Sequence, residues 1–174
     1  MKTTNTRRLL LMGIGCLLLM TMGCKKGEVG PQGPEGNANV FSKTFSPSNI
    51  TWTSLTEYGT NYKVADLSIP EITSDIVTNG SVLVYSELIF SGQTWTPLPV
   101  SYLELGITKF VSYGVKTGSV RLRYSLSNNT VPPNPGIEFR VVYMSAKELV
   151  AAKQNNVDLS SYQQVGAFIQ KQGN

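Results

Sequence analysis

Residues able to do chemistry are few in this chain, and the shortage narrows what it can be. Its 174 residues include no histidine. Without imidazole there is no Ser-His-Asp or Cys-His nucleophile, and the usual zinc and copper ligand sets are missing. General acid–base work would fall to carboxylates. After Glu28 and Glu35, the acids are Glu57, Asp66, Glu71, Asp75, Glu87, Glu104, Glu138, Glu148 and Asp158. A glycosidase needs two of these roughly 5–9.5 Å apart across a cleft, and no spacing here nominates a pair. Asp66, Glu71 and Asp75 offer oxygen ligands around one short segment, yet no Asp-x-Asp-x-Asp-Gly run exists for calcium. No Gly-x-x-x-x-Gly-Lys phosphate loop occurs either. The expectation is a protein that is not an enzyme, with no catalytic residue, no metal and no cofactor.

Aromatic rings are the remaining candidates for a binding site. Trp52 and Trp95 fall near strand edges or loops, with Tyr58, Tyr62, Tyr85, Tyr102 and Tyr113 in or beside strands. Flat rings can stack a pyranose, so Trp52 and Trp95 form the candidate ligand platform. The competing expectation places both in the core, because Trp and Tyr bury large areas and favour strands.

Charge is distributed unevenly. Of the fifteen basic residues, Lys2, Arg7 and Arg8 precede an uncharged, nearly all-apolar run, Leu9–Met22. That run suits the core of a signal peptide and is short for a spanning helix. Thr21-Met22-Gly23-Cys24 then resembles the lipobox of bacterial lipoproteins, with small Gly23 before the cysteine and Thr21 where an aliphatic residue is usual. The resemblance implies cleavage between Gly23 and Cys24 and lipidation of Cys24, palmitate included. Cutting instead at Gly15-Cys16 would leave the apolar Leu17–Met22 exposed on the product. Removing residues 1–23 takes the net charge from +4 to +1, since twelve basic residues then face eleven acids. The basicity belongs to the export signal and gives no reason to expect nucleic acid. With Cys16 removed and Cys24 acylated, the mature chain has no free thiol or disulfide. Its domain must therefore be held together by burial.

Gly27, Gly30, Gly33 and Gly36 mark three Gly-Xaa-Yaa triplets and a closing glycine. Three triplets provide little interchain contact to offset the ordering of a collagen triple helix, so residues 24–36 read as the lipidated cysteine and an extended spacer of a monomer. Fully extended, residues 25–36 would reach roughly 37 Å. Lipobox, basic pair, glycine triplets and a β-rich domain beginning Asn37-Ala38-Asn39-Val40 together resemble a group of uncharacterised lipoproteins from Bacteroidota-type bacteria. The resemblance extends to Phe139–Tyr143 as a last strand followed by a short helical tail. It implies a lipid-anchored protein of the cell envelope, at the outer membrane. Lys25-Lys26 stands where surface-exported members carry acids, and periplasmic and surface-facing placements both stay open. The expected role is structural or protein-interacting, with another envelope protein as partner. A carbohydrate-binding or adhesive module displayed on the tether is the alternative.

The elements that would position any site are mostly strands. Val120, Leu122, Tyr124 and Leu126 alternate with Ser119, Arg121, Arg123 and Ser125, the pattern of a strand with one buried and one wet face. Ile137–Tyr143 and Ala65–Ile69 alternate likewise. Ser81–Phe90 is apolar on both faces, as a strand covered on both sides should be. Val40–Phe45, Ile50–Thr53, Leu98–Leu105 and Ile107–Val115 complete about eight strands, with Lys116-Thr117-Gly118 turning one into the next. Their spacing predicts a mainly β fold over 37–144, an antiparallel β-sandwich or open barrel. Ser145-x-x-Glu148 and Ser160-x-x-Gln163 are capping boxes. They predict short helices over Ala146–Gln154 and Ser161–Lys171, a tail (145–174) packing Val165, Phe168 and Ile169 onto the sheet.

Overall fold

The structure is a computed structural model that describes residues 40–87 and 95–172. Gly23, Cys24 and the glycine-triplet spacer lie outside the described residues. The strands are β1 (Val40–Phe45), β2 (Thr53–Glu57), β3 (Thr60–Ser68), β4 (Ser81–Glu87), β5 (Trp95–Pro97), β6 (Val100–Glu104), β7 (Ile107–Lys116), β8 (Ser119–Leu126) and β9 (Phe139–Met144). Among the described residues three α-helices accompany them, α1 (Ser74–Asn79), α2 (Ala146–Gln154) and α3 (Tyr162–Gln172), with one 3-10 turn at Pro47–Asn49. One antiparallel sheet has the order β1-β9-β4-β5 and the other β2-β3-β8-β7-β6. Both sheets stay open, so the fold is a sandwich and not a closed barrel.

Two apolar layers hold it together. Between the sheets, the inward residues of β8 (Val120, Leu122, Tyr124) meet those of β9 (Phe139, Val141, Tyr143), joined by Trp52, Ile69, Ile72 and Val111. The second layer lies on the far side of the four-stranded sheet. There Tyr85, Val142 and Met144 pack under Ala152 of α2 and Val165 and Phe168 of α3. This is why β4 and β9 are apolar on both faces: one face meets the other sheet and the other meets the helical tail. Deleting residues 145–174 is expected to expose Tyr85, Val142 and Met144 together and send the remaining sandwich into aggregates, measurable as lost soluble yield.

Local signals explain most boundaries. Ser145 caps α2 by accepting the Glu148 N–H at 3.4 Å, as the capping box predicts, and Glu148 is buried beneath it. The second box works one residue later than expected: Ser161 accepts the Gln164 N–H, while Ser160 bonds to Asp158 through its N–H and its hydroxyl. Both frames are spelled by Ser160-Ser161 and Gln163-Gln164, so sequence alone does not separate them. The strand expected at Ile50–Thr53 begins only at Thr53. Ile50 and Trp52 are its buried lead-in, anchored by burial without a ladder. Neither β5 nor α1 is expected from periodicity, since three and six residues are too short to display one. At the end of α1, Gly80 is required by close approach: a Cβ there would sit 2.2 Å from the Met144 carbonyl oxygen.

The strand ends fall into two groups. After β3, Ile69 N–H bonds to Gly118 O (2.9 Å) and Gly118 N–H to Ile72 O (2.8 Å). From there α1 leads directly into Ser81, which shares a register row with Met144 and Val40. The chain therefore enters the sandwich at Val40, at the end that carries α1 and the β7–β8 turn. The β2–β3 and β6–β7 turns lie at the opposite end.

Candidate functional site

The sandwich does not bring the two tryptophans together. Trp52 is 9% exposed in the layer between the sheets, its ring 6.1 Å from that of Phe139. Trp95 is half-buried on the other side of the same sheet, in the helical layer. With a sheet between them, they form no common stacking surface.

Several of the carboxylates have structural partners. Asp66 receives a two-pronged contact from Arg121 across β3 and β8 (2.8 and 2.6 Å), and that guanidinium holds its carboxyl below the usual range. Arg123 lies 3.0 Å from Glu57, and Asp75 accepts from Asn79 within α1 at 2.7 Å. Asp66, Glu71 and Asp75 do not converge, and among the described residues no three acids or cysteines are grouped to hold a metal ion. Lys109 pairs with Glu104, its amine over the Tyr102 ring and beside the Tyr124 hydroxyl. The Glu104 carboxylate raises the Lys109 pKa, which keeps the amine protonated. Such a lysine is a poor base and a poor nucleophile.

Two features that the sequence did not advertise stand out. The first is a cationic and aromatic stack on the helix-covered face. The Arg140 guanidinium carbon lies 4.3 Å from the Trp95 ring centre and 4.9 Å from that of Tyr162. Its Nε donates to Thr44 Oγ1 at 2.9 Å and its Nη1 to the Tyr162 hydroxyl. One residue thereby ties β1, β5 and α3 to β9. Alternation marks Arg140 as wet, but Val142 and Met144 share its face, and that apolar company was the available signal that helices cover it.

The second feature is the pair of turns at the end away from Val40. Tyr58-Gly59 has φ of 51° and 76°, and Leu105-Gly106 has 50° and 78°. Two positive angles in a two-residue hairpin define a type I′ turn, whose first position favours Asn, Asp or Gly. Here it holds a large side chain each time, with Tyr58 99% and Leu105 95% exposed. Leu103 (68% exposed) and Phe110 (44%) extend the apolar surface along β6 and β7. The two turns are three strand spacings apart in one sheet, about 14 Å. Because Tyr-Gly and Leu-Gly are not turn dipeptides by composition, only backbone geometry reveals them.

No protein-family model matches this chain, and no curated protein or solved structure matches it. Among the described residues no helix is long and apolar enough to cross a membrane.

Proposed function

We propose that this chain is a lipid-anchored protein of the cell envelope that acts by binding another envelope protein and catalyses no reaction. The supporting observation is the presentation of Tyr58 and Leu105. Large side chains held in left-handed backbone cost of order 1 kcal/mol or more each, and neither is compensated by burial. The turn geometry closes each hairpin, but an Asn or Gly would do so with less strain, and a large exposed side chain retained there is what a recognition surface tolerates. Its position suits that role, because the turns sit at the end opposite Val40, where the spacer joins. A glycan reading has less support, since Trp52 and Trp95 offer no shared face and Arg140 already stacks on Trp95.

The anchor and the surface are tested separately. Cys24→Ala is expected to move the protein out of the membrane fraction, and mass spectrometry should find wild-type Cys24 acylated. A soluble, unmodified wild-type chain would end the anchoring half of the reading. For the surface, Tyr58→Asn with Leu105→Asn places a residue that accepts positive φ at each turn. Stability should hold or rise by about 0.5–1 kcal/mol, while in-cell cross-linking to the partner should fall at least about tenfold. Unchanged cross-linking would reject the surface, and glycan-array binding lost on Trp95→Ala would favour the carbohydrate alternative.

A further inference from the structure

The edge of the four-stranded sheet is incomplete. β5 pairs only Tyr85–Glu87 of β4, with one further bond from Leu98 N–H to Val84 O at 2.8 Å, and the chain then crosses to β6 of the other sheet. Beside the unpaired start of β4 this leaves a cavity of about 250 Å³. Val84, Tyr85 and Leu98 are its buried floor, and Leu83, Tyr113 and Leu159 are half-buried at its rim. The hollow is open to solvent on one side, and its volume exceeds the roughly 150 Å³ that takes benzene in an enclosed cavity, so it can seat a substituted single ring or a short aliphatic chain with one edge exposed.

Its polar atoms define the ligand more narrowly. The Tyr113 hydroxyl donates to Val82 O at 3.1 Å, and the Tyr85 hydroxyl donates to Leu159 O at 2.7 Å. Each phenol has thereby committed its single proton to a carbonyl and keeps only acceptor lone pairs. The hydroxyl of Ser160, the remaining lining residue with a polar side chain, donates to Asp158 at 2.7 Å. Burial raises the pKa of both tyrosines, and each phenol stays neutral at physiological pH. No charged side chain lines the cavity. The site thus has apolar walls, phenolic acceptors, the edge-facing Val84 N–H of β4, and no charged side chain.

We propose that this cavity binds a small neutral molecule, largely apolar, that carries one hydroxyl or N–H donor. A carboxylate or phosphate would lose its hydration beside two phenol oxygens with no cation to offset its charge, and a pure hydrocarbon would leave the phenol acceptors unanswered. The site involves neither the tether nor the Tyr58 and Leu105 turns, so it stands or falls apart from the proposed partner surface.

The test uses the mature chain from residue 24 with Cys24→Ala, which avoids detergent that would compete for the cavity. Backbone amide shifts are followed during titration with p-cresol, toluene and benzoate. We expect p-cresol to shift Leu83, Tyr113 and Leu159, to bind about three- to tenfold tighter than toluene, and benzoate to leave these signals in place. Tyr113→Phe removes one acceptor and should erase most of the preference for p-cresol while toluene still binds. Leu83→Trp should fill the space and abolish both, and Leu159→Trp fills it from the opposite wall should Leu83→Trp not fold. Benzoate binding as tightly as p-cresol, an unaltered preference in Tyr113→Phe, or shifts absent from these residues would each overturn the assignment.

Discussion

Raising the pH beyond about 10 is expected to unfold this domain cooperatively. Tyr85, Tyr102, Tyr113, Tyr124 and Tyr143 all have raised pKa values, and burial is the largest cause for each. A tyrosine in the unfolded chain ionises near pH 10. Below that value both states keep their phenolic protons, and the full stability is present. Above it the unfolded chain releases protons that the folded domain retains, so stability falls as the pH climbs toward the folded-state values. Each such proton removes at most about 1.4 kcal/mol per pH unit, and only between its unfolded and folded values, with the half-buried Tyr102 and Tyr113 contributing least. Lys109, held protonated by Glu104, adds in the same direction. Tyrosinate absorbance and far-ultraviolet circular dichroism followed through one titration provide the check. Tyrosinate from the buried Tyr85, Tyr124 and Tyr143 should appear only as the β signal is lost. Reversible ionisation of all of them near pH 10 with the sheet signal intact would show that they are not buried as described.

The second large effect is confined to one strand. Leu122→Ala should cost roughly 2–5 kcal/mol, because Leu122 is fully buried between the sheets and its truncation leaves a cavity in the core. Its neighbour Arg121 points the other way, and with its Asp66 partner is close to half exposed. A pair of that exposure is worth about 0.2–1 kcal/mol, so Arg121→Ala should change stability by no more than about 1 kcal/mol. The comparison is sensitive to register, since a one-residue slip of β8 would exchange the two outcomes. Equal denaturation midpoints for the two variants, at unchanged denaturant dependence, would place both side chains in the same environment.

Much of the sandwich is readable before any coordinates. β8 spans the alternating Ser119–Leu126, β1 spans Val40–Phe45, and α2 spans Ala146–Gln154, each as its pattern predicts. These elements carry their own instructions: a period of two with apolar residues on one face, or a capping serine followed by a glutamate. The burial of Val165 and Phe168 against the sheet follows from the same logic. Elements too short to show a period are the ones that pattern reading misses. β5 exists because β4 offers it an edge, and α1 because Thr73 caps it while Ile76 reaches the core.

The candidate sites divide along the same line. Composition alone removes imidazole chemistry, because a missing side chain cannot be restored by folding, and the order of the charges gathers the excess basic residues in the first residues of the chain. Local pattern also determines which faces of β8 and β9 look inward. Whether Trp52 and Trp95 could cooperate depended on which sheet faces they reach, a non-local matter that the pairing of β9 with both β1 and β4 decides. The Arg140 stack needs β1, β5 and α3 to converge on one side chain. The cavity arises from where β5 ends and the chain leaves for the other sheet. Tyr58 and Leu105 become exposed, strained tips only because strand registers leave two residues to turn each hairpin. Side-chain type and period are properties of neighbouring residues and survive in the linear sequence. Sites assembled from distant strands are properties of the packing, and they exist only once the sheets have formed.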